Sequence, residues 1–227
     1  MLLHKDEVAM ELSDFDSRFY SRPAEAFLRS TLEASTELSR ADLIREATQK
    51  KIRLQRFKRS ALLPRVERVI GFLRGLEPLS LLDVGTGRGA FLWPLLDVWP
   101  GLPVHCLDVL EHRVNMLTAV RRGGIDNLVA EHRDISDDSW EHEPFDVVTA
   151  LEVLEHVPEP QRAIEQCVRH ALRFVVVSCP SKADENPEHI NLFQAGELER
   201  RFLDAGAIKA NTVHVLNHQI VFATVGT

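Results

Sequence analysis

The chain has 227 residues, 44% of them hydrophobic, with 27 basic and 34 acidic side chains and a formal net charge of −7. That length holds one sizeable domain with an extension rather than two full domains, and the composition excludes a disordered chain. No apolar run approaches the ~18 residues that cross a bilayer.

The first residues, MLLHKDEVAMELSDFD, lack the apolar core of a signal peptide and carry acids early, so a cytoplasmic location is expected. Cys106, Cys167 and Cys179 sit in or beside apolar runs without metal-like spacing, and read as reduced core thiols.

Residues 1–75 carry 15 basic and 11 acidic side chains, whereas the remainder carries 12 and 23. This basic segment shows helical periodicity and no strands: PAEAFLRSTLEAS (23–35), RADLIREATQKKIRLQRFKR (40–59) and PRVERVIGFLRGL (64–76). It is expected to form a helical cap (1–75) ahead of a larger domain (76–227). Within it Lys50, Lys51, Arg53, Arg56, Lys58 and Arg59 cluster around Ile52, Leu54 and Phe57. One reading is a patch for RNA phosphates or an anionic surface. The other, favoured here because the chain is acidic and no aromatic stacking platform is evident, is a solvated helix packed by its apolar residues.

From residue 80 onward strands and helices alternate. Strands are expected at 80–85, 103–109, 127–135, 145–153 and 173–180, with helices over roughly 88–98, 111–124, 158–172 and 195–207 between and after them. Two closing strands, 209–217 and 218–225, complete the pattern. Alternation at this spacing implies an α/β fold with a doubly wound, mostly parallel sheet. Pro94 falls inside the first helix of this region, where an interior proline costs ~3 kcal/mol, so that helix is expected to start late or kink.

The first strand runs into LLDVGTGRGAFL (81–92), which places Gly85, Gly87 and Gly89 at alternate positions with Asp83 two residues ahead. Such glycines permit positive φ and let a ligand approach the backbone, and a helix N-terminus behind them favours an anionic group. The spacing differs from the GxGxxG of dinucleotide binding. An acidic residue followed by GxGxG resembles the class I S-adenosylmethionine (SAM) dependent methyltransferases, over residues 79–227. The resemblance implies a seven-stranded, Rossmann-like sheet and a SAM site built by Asp83, Gly85, Thr86, Gly87 and Gly89. Asp83 would hold the methionine amino group. Asp108 with Val109 would meet the ribose, Asp134 with Ile135 the adenine, and Leu151 with Glu152 would lie beside the reactive methyl. Tyr20 and Arg22 read either as lid residues or as capping and core residues.

Glu152, Glu155 and His156, in LEVLEHVPEP, stand at i, i+3 and i+4 and would share one face of a helical turn, with His189 expected on the same rim. The ExxEH…H pattern resembles ubiquinone-biosynthesis O-methyltransferases and small-RNA 2′-O-methyltransferases. That resemblance implies a divalent metal on Glu152, Glu155, His156 and His189. The same segment also resembles general small-molecule methyltransferases, which need no metal; the short link after the fifth strand favours these. His156, His189 and Glu155 are the candidate bases. The expected function is methyl transfer to a hydroxyl oxygen of a small molecule. The alternatives are a metal-assisted RNA 2′-O-methyltransferase and a catalytically silent SAM-binding partner protein.

Overall fold

The computed structural model describes residues 12–226 except Thr36, and for Leu12 and Ser13 the backbone alone. The start of the stretch read for secretion signals, residues 1–11, lies outside the described residues.

Seven strands form one sheet: β1 (Leu81–Val84), β2 (Val104–Asp108), β3 (Leu128–His132), β4 (Phe145–Leu151), β5 (Ala171–Pro180), β6 (Lys209–Val215) and β7 (His218–Thr224). Their order is β3-β2-β1-β4-β5-β7-β6. The first five pair in parallel, while β7 runs antiparallel between β5 and β6. This is the doubly wound, mostly parallel sheet that the alternation predicts. The order reverses at β1, which lies between β2 and β4, and in such sheets that switch opens a crevice at the carboxyl ends of the strands.

The helices are α1 (Leu12–Arg18), α2 (Ser21–Thr31), α3 (Arg40–Gln49), α4 (Pro64–Leu76), α5 (Leu92–Val98), α6 (Glu111–Arg122), α7 (Pro160–Arg169) and α8 (Glu197–Asp204). Alternate residues of β5 face opposite sides of the sheet. Val175, Val177 and Cys179 join Val148, Ala150 and Val221 in a core closed by Ile164 and Cys167 of α7 and by Leu198 and Phe202 of α8. Phe174 faces the other way and meets Phe72 of α4 edge-on, 5.5 Å between ring centres; Phe72 also lies 4.3 Å from the Phe222 ring. Aromatic pairs of this kind contribute ~0.5–1.5 kcal/mol each beyond their burial. Covered on both faces, β4 can be apolar along nearly its whole length. Pro94 is the third residue of α5; the Trp93 and Leu95 N–H groups on either side bond back to Gly89 and Phe91 at 3.0 Å, and the proline cannot make the bond between them, so regular helix is counted only from Leu92.

Two contact-dense units divide the chain: residues 1–61 with 116–126, and residues 62–115 with 127–227. α4 therefore sorts with the sheet, ahead of the 75/76 division expected from the sequence. Within the first unit, Tyr20 is buried at the N-cap of α2, with the Arg59 guanidinium 4.5 Å from its ring centre.

The single helix expected over 40–59 is corrected by the structure. α3 stops at Gln49, Lys51 takes φ +53°, and the Ile52 N–H turns back to the Ala47 carbonyl at 3.0 Å. The chain then buries Leu54 and Phe57 around a 3-10 turn, Gln55–Phe57. Backbone bonds from Tyr20 to Phe57 and from Arg59 to Arg18, both 2.8 Å, hold residues 57–59 extended. Tertiary pairing outweighs helix propensity here. Lys50 pairs with Glu46, while Lys51, Arg53, Arg56 and Lys58 are exposed.

Candidate active site

The loop between β1 and α5 has all three glycines at positive φ. Two of them admit no side chain. A Cβ on Gly85 (φ +66°) would sit 2.6 Å from Val153 Cγ2, and one on Gly89 (φ +81°) 2.2 Å from the Trp93 indole nitrogen. Gly85 N–H donates to the Leu107 carbonyl at 2.7 Å, which ties the loop to the end of β2. Regular helix in α5 is counted from Leu92, with the Trp93 N–H bonded back to the Gly89 carbonyl at 3.0 Å.

A cavity of about 650 Å³ opens at the carboxyl ends of β1–β4. Gly85, Thr86 and Gly87 line it from the loop, Asp108 and Val109 from the end of β2, and Asp134 and Ile135 from beyond β3. Leu151, Glu152 and His156 line it after β4, and Arg65 reaches it from the first turn of α4. Asp108 accepts from the backbone of Gly87 (3.0 Å) and Leu110 (2.9 Å) and pairs with Arg113 at 3.3 Å. Asp134 accepts from Ser136 N–H at 2.8 Å. Val109, 56% exposed, is an apolar rim beside Asp108.

Asp83 does not join them. It is buried in β1 directly opposite Thr149 of β4, whose hydroxyl donates to it at 2.8 Å. Burial pushes its carboxyl up to about 7. Its side chain points to the next strand, supports the loop from beneath and is not among the residues that line the cavity. Gly89 likewise stands off the cavity, seated against Trp93.

The LEVLEH segment splits in two. Glu152 precedes a 3-10 turn, Leu154–His156, and takes φ +59°, so it does not share a helical face with the other two. Its carboxylate accepts from Ser178 Oγ (2.7 Å) and lies 3.0 Å from His218 Nε2 and 3.6 Å from Arg65 Nε. Glu155 turns inward and is fully buried. Its backbone carbonyl accepts from Ile190 and Asn191 N–H, and Asn191 Nδ2 donates to the carbonyls of Leu154 and Val157. This clamp brings His189 to His156, 4.8 Å between ring centres. Ligand atoms of Glu155, His156 and His189 lie within 4.8 Å of one another; Glu152 is not in the group. Neither carboxylate oxygen of Glu155 has a hydrogen-bond partner among the described residues, and burial pushes its carboxyl up to about 8. His156 Nδ1 donates to the Glu188 carbonyl at 2.9 Å, and His189 Nδ1 is 2.9 Å from Asp184 Oδ1. Both imidazoles thus keep Nε2 available.

Arg113, Ser178 and His218 carry no motif and were invisible in the sequence. Arg65 was visible only as one more basic residue after the 50–59 cluster. The strand register, which sets His218 opposite Pro180 at the end of β5, is the signal that locates it.

A methyltransferase-domain family profile matches residues 82–173. The chain is 31% identical over 156 residues to the ribosomal RNA small subunit methyltransferase G of Lactococcus lactis subsp. cremoris, and 37% identical over 100 residues to the ubiquinone biosynthesis O-methyltransferase of Shewanella sp. ANA-3. These alignments cover 65% and 41% of this chain and 62% and 39% of the two relatives, so the chain spans less than two thirds of either. Among solved structures, a SAM-dependent methyltransferase from Aquifex aeolicus has the same fold (TM-score 0.60, 23% identity, 79% of this chain and 97% of that one). So does magnesium protoporphyrin IX methyltransferase from Synechocystis PCC 6803 with bound SAH (TM-score 0.57, 16% identity, 87% and 92%). Residues 82–173 thus match a methyltransferase domain, and the chain shares the Rossmann-like fold of SAM-dependent methyltransferases.

Proposed function

We propose that the chain is a SAM-dependent methyltransferase whose acceptor is a hydroxyl oxygen of a small molecule. The observation that carries the reading is the cavity itself. A glycine loop at positive φ, with no room for a Cβ at Gly85 or Gly89, is followed at the ends of β2 and β3 by two carboxylates on the cavity wall, Asp108 and Asp134, which can accept from a nucleoside's hydroxyl and amino groups. Asp108 would accept from the ribose hydroxyls and Asp134 from the adenine amino group, with Val109 and Ile135 as apolar walls. Leu151 and Glu152 border the methionine end. When bound, SAM supplies an electrophilic methyl on a sulfonium. The protein's part is to position the acceptor and take its proton.

His156 is the base. Its Nδ1–H is committed to the Glu188 carbonyl, which leaves the Nε2 lone pair for the acceptor hydroxyl, and the residue lines the cavity. A usable base beside an intact cradle supports an active enzyme over a silent binding partner.

One observation favours a second, metal-assisted reading. The buried Glu155 carboxyl, which has no hydrogen-bond partner among the described residues, can be neutralised by a proton or by a cation, and the two imidazoles, whose Nδ1 atoms are held by Glu188 and Asp184, turn Nε2 outward as metal-bound histidines do. Glu155, His156 and His189 would hold a divalent ion, without Glu152. Such an ion would make an acceptor hydroxyl easier to deprotonate.

The catalytic role is assigned to the sheet unit, which takes in α4 and Arg65 as well as most of residues 76–227, and an accessory role to the helices before α4, in a cytoplasmic protein; the buried free thiols fit a reducing compartment. The test is a calorimetric titration of Mg²⁺, Mn²⁺ and Zn²⁺ into the parent and a Glu155→Gln, His189→Ala variant. Site-specific binding lost in the variant supports the metal reading; no binding in either leaves His156 as the unaided base. Turnover that survives His156→Ala without metal overturns both.

A further inference from the structure

The loop between β3 and β4, residues 133–144, faces two ways. Its first turn puts Asp134 and Ile135 on the cavity wall. Farther along, Trp140 is buried and joins Ile135, Leu107 and Phe145 in the core that α7 closes. Trp140 thus anchors the segment that begins with the wall assigned to the adenine.

Histidines surround that anchor. His170, the C-cap of α7, lies 4.5 Å from Trp140 between ring centres, His142 stacks on it at 5.3 Å, and His105 of β2 meets it edge-on at 5.8 Å. His142 also stacks on Phe145 of β4 at 4.6 Å and stands 4.9 Å from His105. His105 and His170 are buried, whereas His142 is exposed. Three imidazoles around one indole form a titratable cluster that has no part in the chemistry proposed above.

The charges that face the cluster come from three sides. On β3, Glu131 lies 2.9 Å from His105 Nε2, and Arg133 stands 3.8 Å from the same carboxylate while pairing with Asp137 at 2.8 Å. On α7, Arg169 donates to the Asp138 carbonyl at 3.5 Å, and Arg162 pairs with the Asp138 carboxylate at 2.8 Å. In the loop itself, Glu141 and Glu143 flank His142 and are exposed, while Asp146, next to Phe145 on β4, is committed to Arg173. Glu131 therefore offsets a charge on His105, but His170 pairs with no carboxylate among the described residues. Burial holds its imidazole below the ordinary 6.5; hydrogen bonds to the Gln166 and Trp140 backbone oppose this, and Arg169 and His142 add to it.

A histidine whose value is depressed in place takes a proton more readily once released. Above pH 6.5 it is neutral in both arrangements and favours neither. As pH falls below 6.5, protonation favours release, and an imidazolium at His142 or His105 adds repulsion within the cluster.

We propose that His105, His142 and His170 form an acid-sensitive clasp on Trp140, which holds the 133–144 loop against the sheet at neutral pH and frees it on acidification, withdrawing Asp134 and Ile135 from the cavity. The effect on binding rests on the nucleoside reading above; the opening of the clasp does not.

Two readouts keep these apart. The chain has three tryptophans, and Trp140→Phe assigns the indole N–H resonance of the one in the clasp. Between pH 7.5 and 5.5 that resonance is expected to move toward the position of an exposed indole, with those of Trp93 and Trp99 unchanged. Over the same range S-adenosylhomocysteine affinity is expected to fall about 10-fold, as when one linked proton is taken up over one pH unit. His142→Phe keeps the stack without the charge, and His170→Asn keeps a donor for the Gln166 carbonyl. Each is expected to bind close to the parent at pH 7.5 and to lose most of the fall at pH 5.5. His142 is exposed, so its variant folds even if His170→Asn does not. A Trp140 resonance that stays fixed to pH 5.5, or a movement that the variants retain in full, overturns the clasp. A resonance that moves while S-adenosylhomocysteine affinity does not overturns its link to the cavity. A parent that binds no S-adenosylhomocysteine at either pH overturns the nucleoside reading and that link together, and the Trp140 resonance then decides the clasp alone.

Discussion

Asp83 shows how a buried strand carboxyl can support a loop from beneath. Its carboxyl is fully buried and titrates near 7, far above its ordinary value of 3.8, because burial penalises the charged form more than the Thr149 hydroxyl stabilises it. A group whose folded value is raised contributes fully below the ordinary value, and its contribution is lost as pH rises through the folded value. The parent should therefore lose stability relative to Asp83→Asn by roughly 1 kcal/mol per pH unit between about pH 4 and 7, then level off. Urea unfolding of the two proteins at pH 5, 6, 7 and 8 checks this, and a difference that stays flat with pH contradicts it. Asp108 and Asp134 were legible in the sequence because each ends or follows a strand where the loop side is open. Asp83 was not, because its direction depends on its neighbour. In the register Asp83 faces Thr149, and a polar residue within FDVVTAL was the only available sign. Glu152 and Glu155 were misleading for a similar reason: spacing alone puts them on one helical face, but the left-handed backbone at Glu152 turns them apart.

Elements read best where periodicity and burial agree. β4 and β5 are apolar because helices cover both faces, and their runs were plain in the sequence. Residues 50–59 were read as helix because lysine, arginine and leucine favour it locally. The pairing of residues 57–59 with 18–20 is a contact between segments some forty positions apart, which no local window contains. The glycine loop was legible in spacing, though not in what it packs against. Val153 fills the space behind Gly85, so Gly85→Ala should abolish S-adenosylhomocysteine binding while leaving the fold intact by circular dichroism. Because the obstructing atom is a valine methyl and not backbone, adding Val153→Ala should recover part of the affinity; the positive φ at Gly85 limits the recovery by ~1 kcal/mol. Equal binding by the single and double variants would show that Val153 is not the obstruction.

At the scale of the whole molecule the open matter is the acceptor. The chain is acidic overall, but Lys51, Arg53, Arg56 and Lys58 are exposed in sequence positions leading to α4. An RNA acceptor would use such charges on phosphates, and affinity would then fall steeply with salt. A small hydroxylated acceptor would not. The account expects neutralising Lys51, Arg53, Arg56 and Lys58 to glutamine to leave turnover of a small acceptor within about two-fold between 50 and 200 mM salt, since surface charges of this kind add little locally. Salt-sensitive RNA methylation that disappears in the variant would reverse that choice. No described helix is long and apolar enough to cross a membrane.

Everything above depends on the cavity at the ends of β1–β4 being a nucleoside site. The most direct measurement is a calorimetric titration of S-adenosylhomocysteine into the parent and into Asp108→Ala. The account predicts one site of micromolar affinity in the parent, weakened at least about ten-fold when the carboxylate that bridges Gly87, Leu110 and Arg113 is removed. No binding to the parent, or binding that Asp108→Ala leaves unchanged, would contradict it.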